Sequence, residues 1–368
     1  MRRVGPNNKD GGYVTVSDLL AMWQTVEQSE YGDAPQKAQV VFGPGTPSHQ
    51  QDKEPHHRTH VTHHLNDRQS FLAYPNICQR VLARALALIP DEVKSKPGDT
   101  KESLVNRISG TSWFDEQKPL KGGGQKGKKR VRLAATTYAQ ARRLSFSAVV
   151  TDVHMNSSGE RVCTMYAYGR PNSRIRDEVV ASPMPVEIGE LCVHLFVSVR
   201  HLLSDVCAKS PPVHCQLLGY YGLFNSKMGR HKDDHHLRTL WSVLLEDTTV
   251  EEAVKTTKGA LVPGSDVLVF STGPLHMLFS WCYTDAIYGP YAPRKWHKTH
   301  PFLQITLDHG SLLIFKSIDD LYFYHELSIK WTLENGQPST CKETDYRFAF
   351  VFRWLGADKL REFPCSSD

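Results

Sequence analysis

Along the chain the hydrophobic positions change texture at about residue 139. Before it they recur at three- and four-residue spacing; after it they alternate or gather in short β-rich runs. Leu19, Leu20 and Trp23 on one face, behind Thr15 or Ser17 as a cap, predict a short helix over 14–25. The run NICQRVLARALALIP is apolar around most of a helical surface and predicts a second helix ending at Pro90. The residues between it and KPLKGGGQKGKKRVR read as loop. Further on, Ile188, Leu191, Cys192, Leu195, Phe196, Val199 and Leu203 sit at helical spacing behind a proline-rich entry, an amphipathic third helix.

The β-type runs begin with LSFSAVVTDVHM and RVCTMYAYG, which flank the turn NSSG and read as a hairpin. After the third helix come HCQLLGYY, DVLVFSTG, LHMLFSW, FLQITLDHG, SLLIF, FYHELS and RFAFVFRWL. Many short strands with few helices between them predict an α+β chain built on a sandwich or jelly-roll sheet, and argue against a doubly wound one.

Composition narrows the class. With 368 residues, 40% hydrophobic and 23% charged, the chain is long enough for one large domain with appendages or for two domains. No run approaches the ~18 apolar residues that cross a bilayer, and MRRVGPNNKDGGYV lacks the apolar stretch of a secretory signal. The expectation is an intracellular protein, nuclear or cytoplasmic, with no membrane partner. The eight cysteines form no CxxC pair, which suggests reduced, mostly buried thiols. A net charge of +5 permits a nucleic-acid partner without requiring one.

Two polar segments stand apart. His56, His57, His60, His63 and His64 lie in a stretch poor in order-promoting residues, and read as a solvated segment rather than a metal site, since no cysteine accompanies them. Lys121, Lys126, Lys128, Lys129, Arg130 and Arg132 surround glycines in a basic strip, suited to phosphates or an import receptor, or simply solvated.

The chemistry lies further on. His231 and Asp233 stand two apart in GRHKDD, either two ligands of a metal or one more charged turn. Mononuclear iron that activates dioxygen is typically held by two histidines and one carboxylate, leaving positions open. His325 in FYHELS is a candidate third ligand, or a core histidine bonded to a backbone carbonyl. In RFAFVFR, Arg347 and Arg353 are an even number of positions apart, so on a strand they share one face while Phe348, Phe350 and Phe352 share the other. Two inward arginines are costly unless an anion meets them, and a dicarboxylic acid would do so.

These pieces occur in a fixed order: PMPVEIGELCVHLF, LLGYYGLFNSKMGRHKDD, VPGSDVLVFSTGPLHMLF, DHGSLLIFKSIDDLYFYHELS and RFAFVFR. The order resembles the AlkB family of iron(II)- and 2-oxoglutarate-dependent dioxygenases, which repair alkylated bases or demethylate RNA. The resemblance covers about half of the chain.

It implies a double-stranded β-helix, or jelly-roll, core with flanking helices and an N-terminal extension. Residues 139–368 would be the dioxygenase domain and residues 1–138 the extension. It further implies that His231, Asp233 and His325 bind Fe(II), that Arg347 meets the distal carboxylate of 2-oxoglutarate, that Arg353 lies near its chelating end, and that Tyr221 is the cosubstrate tyrosine. Dioxygen is the other cosubstrate. A lid at about 163–182 would present Tyr166 and Tyr168 to a base and Arg170, Arg174 and Arg176 to phosphates.

Three features depart from the family. Gly219 stands where an asparagine is usual before the tyrosine, Ala349 where one is usual after the first arginine, and an insertion runs over about 235–262. The implied activity is oxidative demethylation of alkylated bases in DNA or RNA, with the base taken from a single strand or flipped from a duplex. Alternatives are hydroxylation of a pyrimidine C-methyl or a protein side chain, and a non-catalytic nucleic-acid-binding module on the same scaffold.

Overall fold

The computed structural model describes residues 12–30, 72–74, 79–109, 143–167, 182–231, 266–282, 301–316, 324–329, 332–334, 337–339 and 345–364. In chain order the elements are α1 (Val16–Glu30), β1 (Leu72–Tyr74), α2 (Gln79–Ala87), α3 (Lys101–Ser109), β2 (Arg143–Ser147), β3 (Val149–Met155), β4 (Arg161–Tyr166) and β5 (Ser182–Pro183). Then follow α4 (Val186–Val199), β6 (His214–Tyr221), β7 (Met228–His231), β8 (Asp266–Thr272), β9 (Met277–Cys282), β10 (Pro301–Leu307), β11 (Leu312–Lys316) and β12 (Tyr324–Ile329). The last are β13 (Thr332–Glu334), β14 (Gln337–Ser339), β15 (Tyr346–Arg353) and β16 (Leu360–Pro364). The architecture is mixed α+β, with several sheets and few helices.

Two sheets dominate. The larger has seven strands in the order β1-β11-β8-β15-β6-β2-β5, and the smaller has four in the order β10-β9-β12-β7. Their ladders are antiparallel except for β2 with β5. From β6 onward the chain passes back and forth between them: β6, β8, β11 and β15 go to the large sheet, and β7, β9, β10 and β12 to the small one. The chain therefore winds around the space between the sheets, and residues distant in sequence meet there.

Each face of the large sheet has its own core. Phe348, Phe350, Phe352, Leu217, Phe270 and Leu312 face the helices, where Leu19, Val81, Ala85, Leu191, Leu195 and Phe196 bury the apolar stripes of α1, α2 and α4. Leu218, Tyr220, Val267, Val269, Leu313 and Val351 face the small sheet and meet Met277, Phe279, Ile305, Leu307, Leu327 and Ile329. The three layers are thus helices, large sheet and small sheet. Among the described residues, Val14 to Ile108 contribute to the helix-side core, and β1 extends the large sheet beyond β11.

The helices follow from their caps. Thr15 and Asp18 cap α1 reciprocally: the Asp18 amide donates to Thr15 Oγ1 (3.1 Å) and the Thr15 amide to Asp18 Oδ2 (2.8 Å). The cap is therefore Thr15, and the helix continues past the predicted end to Glu30. α2 ends at Ala87, ahead of Pro90. α3 lies where the sequence reads as loop. Thr100 and Ser103 exchange amide-to-hydroxyl bonds of 2.8 and 3.1 Å at its start, and Leu104 and Ile108 are buried. Arg107 then ties the segment together through Asp99 (Nη1 to Oδ1, 2.7 Å) and the carbonyls of Glu92 and Lys94. That bond to Arg107 holds the Asp99 carboxyl down at about 2. Leu203 falls outside α4, because the chain tightens into a 3₁₀ turn at Arg200–Leu202.

Among the described residues no helix is long and apolar enough to cross a membrane. The thiols of Cys163, Cys192, Cys207 and Cys215 are buried. The histidine cluster, the basic strip and the insertion at about 235–262 lie outside the described residues.

Candidate functional site

β15 supplies the charged wall of the space between the sheets. Its alternation sends Phe348, Phe350 and Phe352 to the helices, and Arg347, Ala349, Val351 and Arg353 to the opposite face. Arg347 is 1% exposed and Arg353 4% exposed, so neither guanidinium reaches solvent.

Arg347 is under-satisfied. Its Nη2 donates to Ser271 Oγ, and its Cζ lies 5.7 Å from the centre of the Tyr220 ring. Nε and Nη1 find no partner among the described residues. Burial pulls this group down from its ordinary value to about 10, while Tyr220 and Asp308 favour the cation.

The surrounding turns are positioned by backbone bonds. Gly273 has φ +110, and a Cβ there would stand 2.3 Å from the Tyr346 carbonyl oxygen, so only glycine lets this turn press on the start of β15. The Leu275 amide donates to that same carbonyl (3.1 Å), and the Gly273 amide donates to His309 Nδ1 (2.8 Å). Ser271 exchanges backbone bonds of 2.8 Å with Gly310 and Ser311, which brings the Asp308–Ser311 turn to the Arg347 end of the sheet.

Arg353, at the other end of β15, donates from Nη1 to Gln216 Oε1 (3.0 Å). Opposite it in the ladder is His214, whose Nε2 lies 2.8 Å from Ser145 Oγ. Burial, with the Arg353 charge adding to it, holds the His214 imidazole well below its ordinary range.

The small sheet supplies the histidines. His325 is buried, and its ring stacks on Phe279 at a centroid distance of 5.6 Å and an interplanar angle of 22°. In the β12–β7 ladder residue 325 is directly opposite residue 231, the last residue of β7. Two positions singled out in the sequence 94 apart are thus cross-strand neighbours. Asp233 and the His231 side chain lie outside what is described. Among the described residues no cluster of three or more His, Cys, Asp or Glu side chains is gathered.

The tyrosines divide differently from the expectation. Tyr221 belongs to the helix-side core, edge-on to Phe224 and Phe348, and its hydroxyl donates to the Val93 carbonyl (2.8 Å). The structure does not bring it to Arg347. Its neighbour Tyr220 is directly opposite Arg347 and faces the intersheet space. Gly219 goes with Tyr221: a Cβ there would approach the Phe348 ring at 3.0 Å. The position preceding the site-facing tyrosine on its own face is therefore Leu218, while Ala349 does lie on the arginine face.

Tyr166 ends β4, half-buried against the intersheet core; burial raises its phenol, and its amide donates to Ser147 Oγ (3.0 Å). Tyr168, Arg170, Arg174 and Arg176 lie outside the described residues. Tyr220, Ser271 and Gln216 belong to this face without any sequence motif to mark them; only the pairing of β15 with β6 and β8 identifies them.

No protein-family model matches the chain, and no curated protein matches it in sequence. Two solved structures are similar in part. One is that of OsALKBH1, 16% identical, covering 61% of this chain and 90% of that one at a TM-score of 0.29. The other is AviO1 from Streptomyces viridochromogenes Tue57, 12% identical, covering 82% of this chain and 96% of that one at a TM-score of 0.31. Likenesses this weak bear on neither fold nor activity, and the functional reading rests on the geometry above.

Proposed function

We propose that the chain is an iron(II)- and 2-oxoglutarate-dependent dioxygenase of the AlkB type that oxidatively demethylates alkylated bases in nucleic acid. The observation that carries this reading is the ladder register that sets His231 opposite His325 on the small sheet, across the intersheet space from Arg347. The winding of β6 to β15 between two four-stranded sets, β11-β8-β15-β6 and β10-β9-β12-β7, supports a double-stranded β-helix.

The residues fit both groups. Two imidazoles, with a carboxylate two residues beyond the first, make the donor set that suits iron(II) while leaving positions open. His231, Asp233 and His325 would hold it. A buried guanidinium whose Nε and Nη1 are unanswered among the described residues suits a carboxylate, which accepts charge-assisted bonds from it. Arg347 would hold the distal carboxylate of 2-oxoglutarate.

Iron, when bound, couples decarboxylation of 2-oxoglutarate by dioxygen to hydroxylation of an N-methyl group, giving succinate, carbon dioxide and, from the methyl, formaldehyde. The protein's part is placement. Arg347 fixes one end of the cosubstrate, with Ser271 orienting the guanidinium and the Tyr220 ring packing against it. The Phe279 ring stacks on the buried His325 and fixes its orientation. Tyr166, at the end of β4, offers a ring on which a base can stack.

The test is succinate release from the purified chain with iron(II) and 2-oxoglutarate, and formaldehyde from methylated single-stranded DNA and RNA. Both products should require both additions and vanish in His325→Ala. Undiminished turnover in that variant would overturn the assignment.

A further inference from the structure

Gln216 is 2% exposed and faces the intersheet space directly opposite Val351. Its carboxamide has only one orientation open to it. Arg353 is a donor with no acceptor capacity, so the atom 3.0 Å from Arg353 Nη1 must be the carboxamide oxygen. The NH₂ group is thereby turned away from Arg353, and Nε2 finds no partner among the described residues.

A buried amide donor left unanswered loses its hydration with nothing in return, so a side chain held in this way by a buried cation calls for an acceptor in the same space. The anion-binding need of the pocket falls to Arg347, a full charge with two nitrogens unanswered among the described residues. What Gln216 presents is a neutral donor, matched to a neutral acceptor.

The location indicates whose acceptor it is. Gln216 pairs with Ser145 of β2, and two residues on Ser147 receives the amide of Tyr166. The carboxamide therefore lies at the end of the sheet that adjoins β4, whereas Arg347 lies at the end that adjoins the Asp308–Ser311 turn.

Resting on the demethylase reading above, we infer that Gln216 is a specificity-determining residue: its NH₂ donates to a ring carbonyl of the methylated base, and Arg353 is the positioning residue that fixes the carboxamide. A pocket with such a donor favours bases that turn an exocyclic carbonyl oxygen to it, the thymine, uracil, cytosine and guanine types, over the adenine type, whose exocyclic group is itself a donor and whose acceptors are recessed ring nitrogens.

The experiment measures binding, with iron withheld so that nothing turns over. The full chain with 2-oxoglutarate is titrated calorimetrically with single-stranded oligonucleotides carrying one 3-methylthymine or one N6-methyladenine. The 3-methylthymine strand should bind about tenfold tighter. Gln216→Leu, which keeps the bulk, and Gln216→Glu, which pairs with Arg353 but has no donor, should each erase that gap by weakening the 3-methylthymine strand alone.

A wild-type chain that binds both strands equally, or a gap that survives both substitutions, overturns the inference and leaves the nucleic-acid reading standing. Weaker 2-oxoglutarate binding in Gln216→Leu, read as a smaller thermal shift, assigns the donor to the cosubstrate and likewise overturns it. A wild-type chain that binds neither strand removes the nucleic-acid reading itself, and the inference with it.

Discussion

Arg347 and Arg353 share one strand and one face, and both are buried, yet they are held in opposite ways. Arg353 is answered by a neutral carboxamide, so its end of the sheet already has a structural partner. Arg347 has a serine hydroxyl and an aromatic ring, and keeps two nitrogens, Nε and Nη1, unanswered among the described residues. A buried cation destabilises a fold unless something compensates it, so the arginine with the poorer partners is the one expected to await a ligand.

The largest effect should come from breaking that end. Arg347→Leu removes two charge-assisted bonds to the cosubstrate, each about 1.5–3 kcal/mol, so succinate release at fixed 2-oxoglutarate should fall about 100-fold or more. The same substitution should leave the melting temperature unchanged or raise it, because replacing a poorly compensated buried charge by an apolar residue of similar size is often neutral or favourable. Activity lost without stability lost is the signature; a large drop in melting temperature would mean that Arg347 is structural.

Arg353→Leu should behave the other way. It strands the Gln216 carboxamide oxygen in a buried setting, at a cost of about 1–3 kcal/mol that denaturant melts should register. Beside it, His214 gives a pH handle. Its folded value lies well below 6.5, so below about pH 6.5 the unfolded chain takes up a proton that the folded chain refuses. Stability should then fall with falling pH, by up to about 1.4 kcal/mol per unit, until the folded imidazole also protonates. Melts across pH 7 to 5 should show this slope. His214→Leu should flatten it, and Arg353→Leu should end it at a higher pH by removing the neighbouring charge.

Some of this was legible in the chain and some was not, for a physical reason. The period-two pattern of RFAFVFR is local, and it sorts arginines from phenylalanines as the two cores do. The short runs after residue 139 read as strands because β-rich runs between turn residues need no partner to be recognised. α3 is faintly marked in the chain because it offers only Leu104, Val105 and Ile108 as apolar residues, and its Thr100–Ser103 cap lacks the usual Glu or Gln. Gln216 has no meaning in sequence, since the residue that orients it lies 137 positions away. The same holds for His231 and His325: the chain shows two histidines, and only the β7–β12 register makes them neighbours.

Tyr220 and Tyr221 show that limit within a single dipeptide. Adjacent strand residues point to opposite faces, and a register shift by one would exchange them. The pairing of Arg347 with Tyr220 decides the matter, sending Tyr221 to Val93 beneath the Arg107–Asp99 tie. Tyr221→Phe deletes a buried hydroxyl whose bond is worth about 1 kcal/mol, and leaves the Val93 carbonyl to find another donor. A loss of that size in a denaturant melt, with the KM for 2-oxoglutarate unmoved, is the expected result. Tyr220→Leu should instead raise that KM several-fold, since the ring that faces the guanidinium and helps keep it charged is gone. If Tyr221→Phe raised the KM and Tyr220→Leu did not, the cosubstrate would lie on the helix side of the sheet, and the contrast between the two arginines would lose its meaning.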